Sequence, residues 1–538
     1  MKLNIESLKN PSLWENAGIE IPQYDVAAVA DRTKKSPIWV HFGIGNIFRM
    51  FIGGLQDTLL NKGLADKGIV CVETFDYDIV NKIYDPFDNL VLGVTLKADG
   101  STKKNVIGSL SEAIAADSSN EPVWNRLKEI FCNPELQMVS FTVTEKGYAL
   151  KGSNQQYLPY VIPDLENGPK NPKGAMAVVT ALLYERFKSS ATPIAVVSMD
   201  NCSHNGEKLK NSVVTVAEEW VKRGLADSDF TAYLNDESKV GFPWSMIDKI
   251  TPRPSTQIAE ELEKAGVEDM APVITDKKTY IAPFVNAEGP QYLVIENQFP
   301  NGRPELEKAG VYFTDRDTVN EVERMKVTTC LNPLHTALAV YGCVLGYESI
   351  ASEMKNPLLK KLVYGIGPGE GMEVVCDPKI LSPEDFVNEV LTQRLTNAFI
   401  PDTPQRIATD TSQKVGIRYG ETIKSYVKKY GDASKLQYIP VAIAGWLRYL
   451  LGVDDKGNEM ELSTDPMLDE LRGYLKDIKL GEKDSDKIHE AVKPILSNVT
   501  IFGSDLYAVG IGEKIEKIFI EEIAQTGAVE KTLATILK

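Results

Sequence analysis

The run Pro37-Ile-Trp-Val-His-Phe42 is apolar except for His41, and two glycines, Gly43 and Gly45, follow it at once. A short, nearly continuous apolar run bounded by a turn signal reads as a strand buried on both faces. A helical pattern from about Ile47 to Lys62 comes next, and then a second apolar run, Gly68-Ile-Val-Cys-Val-Glu73. Met138-Val-Ser-Phe-Thr-Val143 and Ile194-Ala-Val-Val-Ser198 repeat the strand pattern further along. Strand, helix, strand at this spacing builds βαβ units, and these pair into a parallel sheet.

The pattern changes from about residue 320. Thr336 to Tyr347, Pro383 to Thr392, Gln437 to Leu451, Asp465 to Tyr474 and Lys514 to Ile523 read as helices, and strand-like runs become scarce. The expected fold class is α/β: a Rossmann-like parallel-sheet domain over residues 1–287, then a mostly α-helical domain over 288–538. A chain of 538 residues is too long for one core, so two domains are the default. There are no repeats and no low-complexity linker, and Asp454 to Glu459 reads as a solvated loop.

A net charge of −16 argues against nucleic acid or an anionic membrane as partner, while leaving room for a small anionic substrate in a locally basic pocket. No stretch of 18 apolar residues offers a membrane span. Six scattered cysteines without a C-x-x-C pair suit a reducing cytoplasm. The expectation is a cytoplasmic monomer or small homo-oligomer.

Two glycines between a strand and a helix let the backbone approach a pyrophosphate, and the helix N-terminus adds N–H donors and a positive dipole end. Gly43, Gly45, Asn46, Ile47 and Arg49 are therefore candidate cofactor contacts, although Phe48 stands where a third glycine is usual. The second strand ends in Glu73 with Asp76 close behind. A carboxylate there accepts from the ribose hydroxyls of NAD and repels the extra phosphate of NADP, so NAD is expected over NADP. Gly365-Ile-Gly-Pro-Gly-Glu-Gly371 is glycine-rich but follows no buried strand, and it reads as an irregular loop.

Asn201 follows an apolar strand, where open α/β sheets bind ligands. Metal catalysis has no support, since neither H-E-x-x-H nor a histidine pair at helical spacing occurs. A serine hydrolase is unsupported too, for lack of G-x-S-x-G. What remains is Lys326 to His335, where a lysine, an asparagine and a histidine fall within ten residues. Burial depresses a lysine pKa towards neutrality, which makes a buried lysine a usable proton acceptor. His41, His204 and His335, three of only four histidines, all lie in segments of this kind, suggesting one site assembled from distant parts of the chain. Asn332-Pro333 reads as a helix N-cap followed by a first-turn proline.

Taken together, several segments resemble the long-chain polyol dehydrogenase, or mannitol dehydrogenase, family. They are His41 to Arg49, Thr144-Glu-Lys-Gly-Tyr148, Asp200 to Gly206, Met246 to Pro252, Val294 to Asn297 with Gly302-Arg-Pro304, Lys326 to His335, and Asp402-Thr-Pro-Gln-Arg406 through Lys414. The resemblance implies a metal-independent enzyme that uses NAD or NADP to interconvert a polyol or aldonate alcohol with its ketone. It implies Lys326 as general acid/base, Asn201 and Asn332 as oxyanion donors, His335 as support and Glu323 as the nearby glutamate. It adds Thr144 and Glu145 to the cofactor candidates. The family places four residues between lysine and asparagine, whereas this chain has five.

A keto-uronate needs a cation for its carboxylate, and Arg394, Arg406, Lys414 and Arg418 are available in the helical half. Asp248 and Lys249 are further substrate candidates. Mannonate/fructuronate is preferred to mannitol/fructose and altronate/tagaturonate, with a phosphorylated polyol behind them. The non-enzyme alternative is a dinucleotide-binding sensor, which would be expected to lose the proton-transfer lysine.

Overall fold

The computed structural model describes residues 1–537. The chain forms two compact units: residues 1–96 with 101–320, and residues 97–100 with 321–538.

The first unit is built on six parallel strands: β1 (Trp39–Phe42), β2 (Ile69–Glu73), β3 (Leu110–Ala115), β4 (Met138–Phe141), β5 (Ile194–Ser198) and β6 (Val240–Gly241). Their spatial order is β3-β2-β1-β4-β5-β6, the doubly wound order of dinucleotide-binding folds. All residues of β1, β2, β4 and β5 are buried, as expected of strands covered on both faces. One face packs Val40, Val70, Val139 and Val196 against helices that include α3 (Ala175–Ser189) and α4 (Asn205–Lys222). The other packs Trp39, Cys71, Met138 and Val197 with α1 (Gly53–Asn61). Burying each such aliphatic side chain is worth about 1.5–3 kcal/mol.

The expected helix from Ile47 opens as a π turn, Phe48–Ile52, before settling into α1. A short helix α2 (Thr144–Tyr148) follows β4. Three later strands return to this unit. Phe284–Glu288 pairs parallel with Val91–Leu96, Tyr292–Glu296 pairs antiparallel with Ser245–Asp248, and Tyr312–Thr314 joins Tyr292–Glu296. Because the chain keeps adding strands here, the unit runs on to Asn320 rather than ending at 287, and the division falls inside the helix α5 (Arg316–Met325).

The second unit is helical. After α5 a π turn, Lys326–Cys330, leads into α6 (Asn332–Leu345). Later come α7 (Glu421–Tyr430), α8 (Tyr438–Leu450) and α9 (Gly512–Glu522). α6 packs on α8 and α8 on α9. Both α6 and α8 are buried nearly all round, which is why their sequences are apolar without a polar stripe. Gly445 lets α8 approach Tyr341 of α6 at a distance no Cβ would permit, and the Tyr341 hydroxyl oxygen lies 2.8 Å from Val441 O.

The glycine-rich Gly365–Gly371 segment is not the irregular loop expected of it; it is a π turn. A Cβ on Gly365 would overlap the Tyr438 ring, one on Gly371 would meet Thr329 Cγ2 at 2.8 Å, and one on Gly367 would meet Leu334 at 3.0 Å. Glu370 in the same turn caps α8, accepting from the backbone N–H of Gln437, Tyr438 and Ile439. The loop 454–459 is solvent-facing apart from Asp455, which accepts from Val529 N at 3.1 Å.

Candidate functional site

In the first unit the carboxyl ends of β1, β2, β4 and β5 carry the candidate residues. Gly43 follows β1 with φ +86°, and a Cβ there would overlap the Thr142 carbonyl, so only glycine fits. Gly45 is different: beyond its own chain neighbours nothing lies within 4 Å of where its Cβ would be. The opening lies at the entry to the helix, where N–H donors and the positive end of the helix dipole favour an anion. Phe48, in place of a third glycine, stacks on His41 with ring centroids 4.0 Å apart.

His41 itself is walled into the sheet, its ring nitrogens 2.6 Å from Ser140 Oγ and 2.9 Å from Thr142 Oγ1. Burial pushes its pKa well down, so it is a neutral core histidine and not part of a site. His204 is exposed in left-handed backbone, its ring tilted 34° against Trp244 with centroids 4.6 Å apart.

Arg49 is completely buried, and burial lowers its pKa to about 10. Its Nη1 reaches Asn46 Oδ1 at 3.5 Å, and the guanidinium lies 5.8 Å from the Tyr84 ring centroid. Nε and Nη2 have no partner among the described residues. A buried cation without an acid, beside an open glycine turn, suits an anionic cofactor. Ile47, half-buried, leads into the π turn.

Glu73 closes β2. Its Oε1 accepts from the N–H of Thr74, Phe75 and Asp76, and its Oε2 lies 3.4 Å from Ile44 N in the glycine turn. Burial raises its pKa against these four donors. Glu73 thus ties the glycine turn to the turn after β2. Asp76 is engaged by two hydroxyls, Thr275 at 2.6 Å and Thr279 at 2.5 Å, which fasten the hairpin over 273–281 to this edge. Beside them Phe75 is 67% exposed, with Lys277 Nζ 5.2 Å above its ring.

Thr144 has φ +66° and donates its N–H to Asp200 Oδ1 at 2.9 Å, while Val143 N donates to Oδ2 at 3.0 Å. The Tyr148 hydroxyl adds a third bond to the same carboxylate at 2.5 Å. Asp200, overlooked as a site residue, therefore shapes the turn after β4. Its position directly before Asn201 was the available signal. Asn201 is exposed just beyond β5, and Glu145 is exposed and ion-paired with Lys208. Asp248 is buried at the end of its strand, and Lys249 Nζ donates to Glu288 O at 2.5 Å.

In the second unit Lys326 is 3% exposed and stands at the head of its π turn, three residues after the half-buried Glu323. The turn is closed by Leu331 N donating to Lys326 O at 3.1 Å, five residues back. A π turn takes up one residue more than an α turn. It therefore absorbs the extra residue between lysine and asparagine, and Asn332 resumes the helix in the register it would hold without the insertion. Asn332 is not the cap that was expected. Leu331 holds that position, Asn332 is the first helical residue, and its side chain makes no capping bond.

His335 Nε2 lies 2.8 Å from Asp402 Oδ2, and Arg406 pairs with the other oxygen. Burial would raise the Asp402 pKa, but His335 and Arg406 together hold it below the usual carboxylate range. Asp402 has no role readable from its motif, Asp402-Thr-Pro-Gln-Arg406, because only the fold shows what it faces. Lys414 donates to Thr409 O, and its pKa is lowered by burial and by Arg418. Arg394 is 5% exposed, at the end of the π turn Val390–Arg394.

The segment after Gly416 braces the lysine segment. Arg418 donates to Thr336 Oγ1, the Tyr419 hydroxyl to Pro333 O at 3.0 Å and Thr422 Oγ1 to Thr328 O at 3.2 Å. Among the described residues no group of three His, Cys, Asp or Glu side chains is placed to hold a metal, and no helix is long and apolar enough to cross a membrane. All six cysteines are free.

Comparison with known proteins follows the same division. Residues 37–308 match the mannitol dehydrogenase Rossmann domain, and residues 318–523 match the mannitol dehydrogenase C-terminal domain. A D-mannonate oxidoreductase of Thermotoga maritima is 54% identical over 540 residues, covering 100% of this chain and 99% of the relative. A D-sorbitol dehydrogenase in substrate-free form shares the fold with a TM-score of 0.78 at 24% identity, over 95% of this chain and 98% of its own. Pseudomonas fluorescens mannitol 2-dehydrogenase, solved as a ternary complex with NAD and D-mannitol, gives a TM-score of 0.69 at 25% identity, over 100% and 99% of the two chains. Two family domains in sequence and a full-length relative settle the kinship: this chain belongs to the mannitol dehydrogenase family of oxidoreductases.

Proposed function

We propose that the protein is an NAD-dependent oxidoreductase that interconverts the secondary alcohol of an aldonate with its ketone, with D-mannonate and D-fructuronate as the preferred pair. The observation that carries the chemistry is Lys326: a lysine 3% exposed at the head of a π turn that returns Asn332 to helical register. The full-length likeness to a D-mannonate oxidoreductase supports the substrate.

Gly43, Gly45, Asn46, Ile47 and Arg49 are proposed to hold the pyrophosphate of the dinucleotide. Glu73 shapes the ribose end, with Thr144 and Glu145 lining the same edge. When bound, the nicotinamide exchanges hydride with the substrate carbon. Lys326 takes the hydroxyl proton during oxidation and returns it during reduction, a role worth on the order of 10²–10⁴-fold. Asn201 and Asn332 donate to the developing alkoxide. His335, oriented by Asp402, supports the same oxygen, and Glu323 passes the lysine's proton to solvent. Six free cysteines fit a reducing cytoplasm.

A second reading, mannitol/fructose, draws on the mannitol-bound structure of similar fold. Oxidation of NADH followed against fructuronate, tagaturonate and fructose, with NADPH in parallel, decides between them. Fructuronate should be turned over most efficiently, and with NADH. Turnover of fructose alone would overturn the uronate assignment, and a preference for NADPH would overturn the cofactor assignment.

A further inference from the structure

We propose that Arg418, backed by Lys414, anchors the carboxylate of the sugar-acid substrate and sets the preference for sugar acids over uncharged ketoses. This rests on the reading above and names the residue that gives it its substrate class.

The helical unit offers four candidate cations, and their surroundings differ. Arg406 is paired with Asp402 and its side chain is 62% exposed, so most of its charge is spent inside the fold or screened by water. Arg394 is only 5% exposed. Lys414 has Asp410 and Asp465 close enough to favour its charge, and it donates to a backbone carbonyl.

Arg418 has no acid partner among the described residues. Its one bond is to a neutral hydroxyl, Thr336 Oγ1. The side chain is half-buried, which pulls its pKa down to about 10, and no carboxylate among the described residues pairs with it to supply the counter-charge that a guanidinium withdrawn from water requires. A guanidinium has five N–H donors in a planar fork, and this bond uses one. The remaining fork matches a carboxylate, which would accept two parallel bonds.

The position fits the chemistry. Thr336 directly follows His335, and the neighbouring Tyr419 and Thr422 bond to the carbonyls of Pro333 and Thr328. Arg418 is thereby held against the segment that carries Lys326, Asn332 and His335. Arg418 also disfavours the charge on Lys414. A bound carboxylate would relieve that repulsion, which is what a two-cation anion site requires.

The test compares the full-length wild type with Arg418→Gln and Arg418→Lys, measuring kcat and KM for fructuronate, fructose and NADH. Arg418→Gln should lower kcat/KM for fructuronate by about 10- to 100-fold, the loss expected for charge-assisted hydrogen bonds. The loss should appear chiefly in the KM for fructuronate, so that the fructuronate/fructose ratio of kcat/KM falls by about tenfold or more while the NADH KM changes by less than about twofold. Arg418→Lys keeps the charge but not the fork, and should lie between the two. It also serves if Arg418→Gln does not fold. An equal fall for fructuronate and fructose would mean that Arg418 only braces the lysine segment, and it would overturn the proposal, as would an unchanged fructuronate/fructose ratio. Failure of the wild type to reduce any keto-uronate would instead sink the parent reading, and the anchor with it.

Discussion

Two glycine-rich segments with similar composition do opposite work in this protein. At Gly43 and Gly45 the glycines follow a buried strand, and the second leaves empty space where a helix begins. At Gly365, Gly367 and Gly371 there is no strand and no space: each missing Cβ is filled by Tyr438, Leu334 or Thr329. The first segment is open to a ligand. The second is a wall, and of the residues pressed against it Thr329 lies within the turn that begins at Lys326 and Leu334 in the helix that follows it. The comparison teaches that a glycine run acquires its meaning from what precedes it and what packs on it, not from its spacing.

The comparison can be broken by mutation. The largest expected effect is at the residue the wall supports: Lys326→Ala should lower turnover by at least ~10²-fold while NADH affinity, read by fluorescence titration, stays near wild type. Equal loss of both would mean misfolding. Next, Gly43→Ala forces an unfavourable φ and a clash with the Thr142 carbonyl, costing about 1–3 kcal/mol. NADH affinity should fall by about tenfold or more. Unchanged affinity would remove the glycine turn from the cofactor site.

Gly371→Ala should do the reverse. Its new methyl presses on Thr329, so turnover should drop by roughly tenfold through displacement of the lysine segment, with NADH affinity retained. A fall in affinity instead would show that the two glycine segments are not functionally separate.

The last effect is on stability, not on turnover or cofactor affinity. Glu522 is fully buried, accepts from the Tyr341 hydroxyl at 2.6 Å, and has its pKa raised to about 8 by burial. Its folded pKa exceeds its unfolded one, so the native state holds the proton longer. The favourable contribution is complete below about pH 4.5 and is lost as pH climbs towards 8, at up to about 1.4 kcal/mol per pH unit. Glu522→Gln keeps an acceptor for Tyr341 and should flatten the dependence of Tm on pH across that window. An unaltered slope would show that Glu522 is ionised in the fold.

Much was legible along the chain wherever the signal was local and periodic. The strands ending at Phe42, Glu73 and Ser198 and the helices around Leu338 and Ala444 follow from apolar runs, because burial on all sides leaves no polar face to interrupt them. His41 misled because a histidine in an apolar strand looks the same whether it faces a ligand or, as here, Ser140 and Thr142. Asp402 and Asp200 were missed as working residues because their partners lie 67 and 56 positions away in sequence, His335 and Thr144. Asn332 was misread as a cap because a π turn leaves no sequence signature that separates it from a helix break.

The sequence by itself determined the α/β character, the helical second half, the family and the residue types at the lysine segment, since these depend on apolar periodicity and on motifs contiguous in the chain. Only the tertiary structure decided which cations are already neutralised, which glycines are filled and how an extra residue is absorbed between Lys326 and Asn332. The physical reason is that charge compensation and packing are settled by neighbours in space. A guanidinium such as Arg418 shows whether it has an acid to meet only once the chain has closed around it.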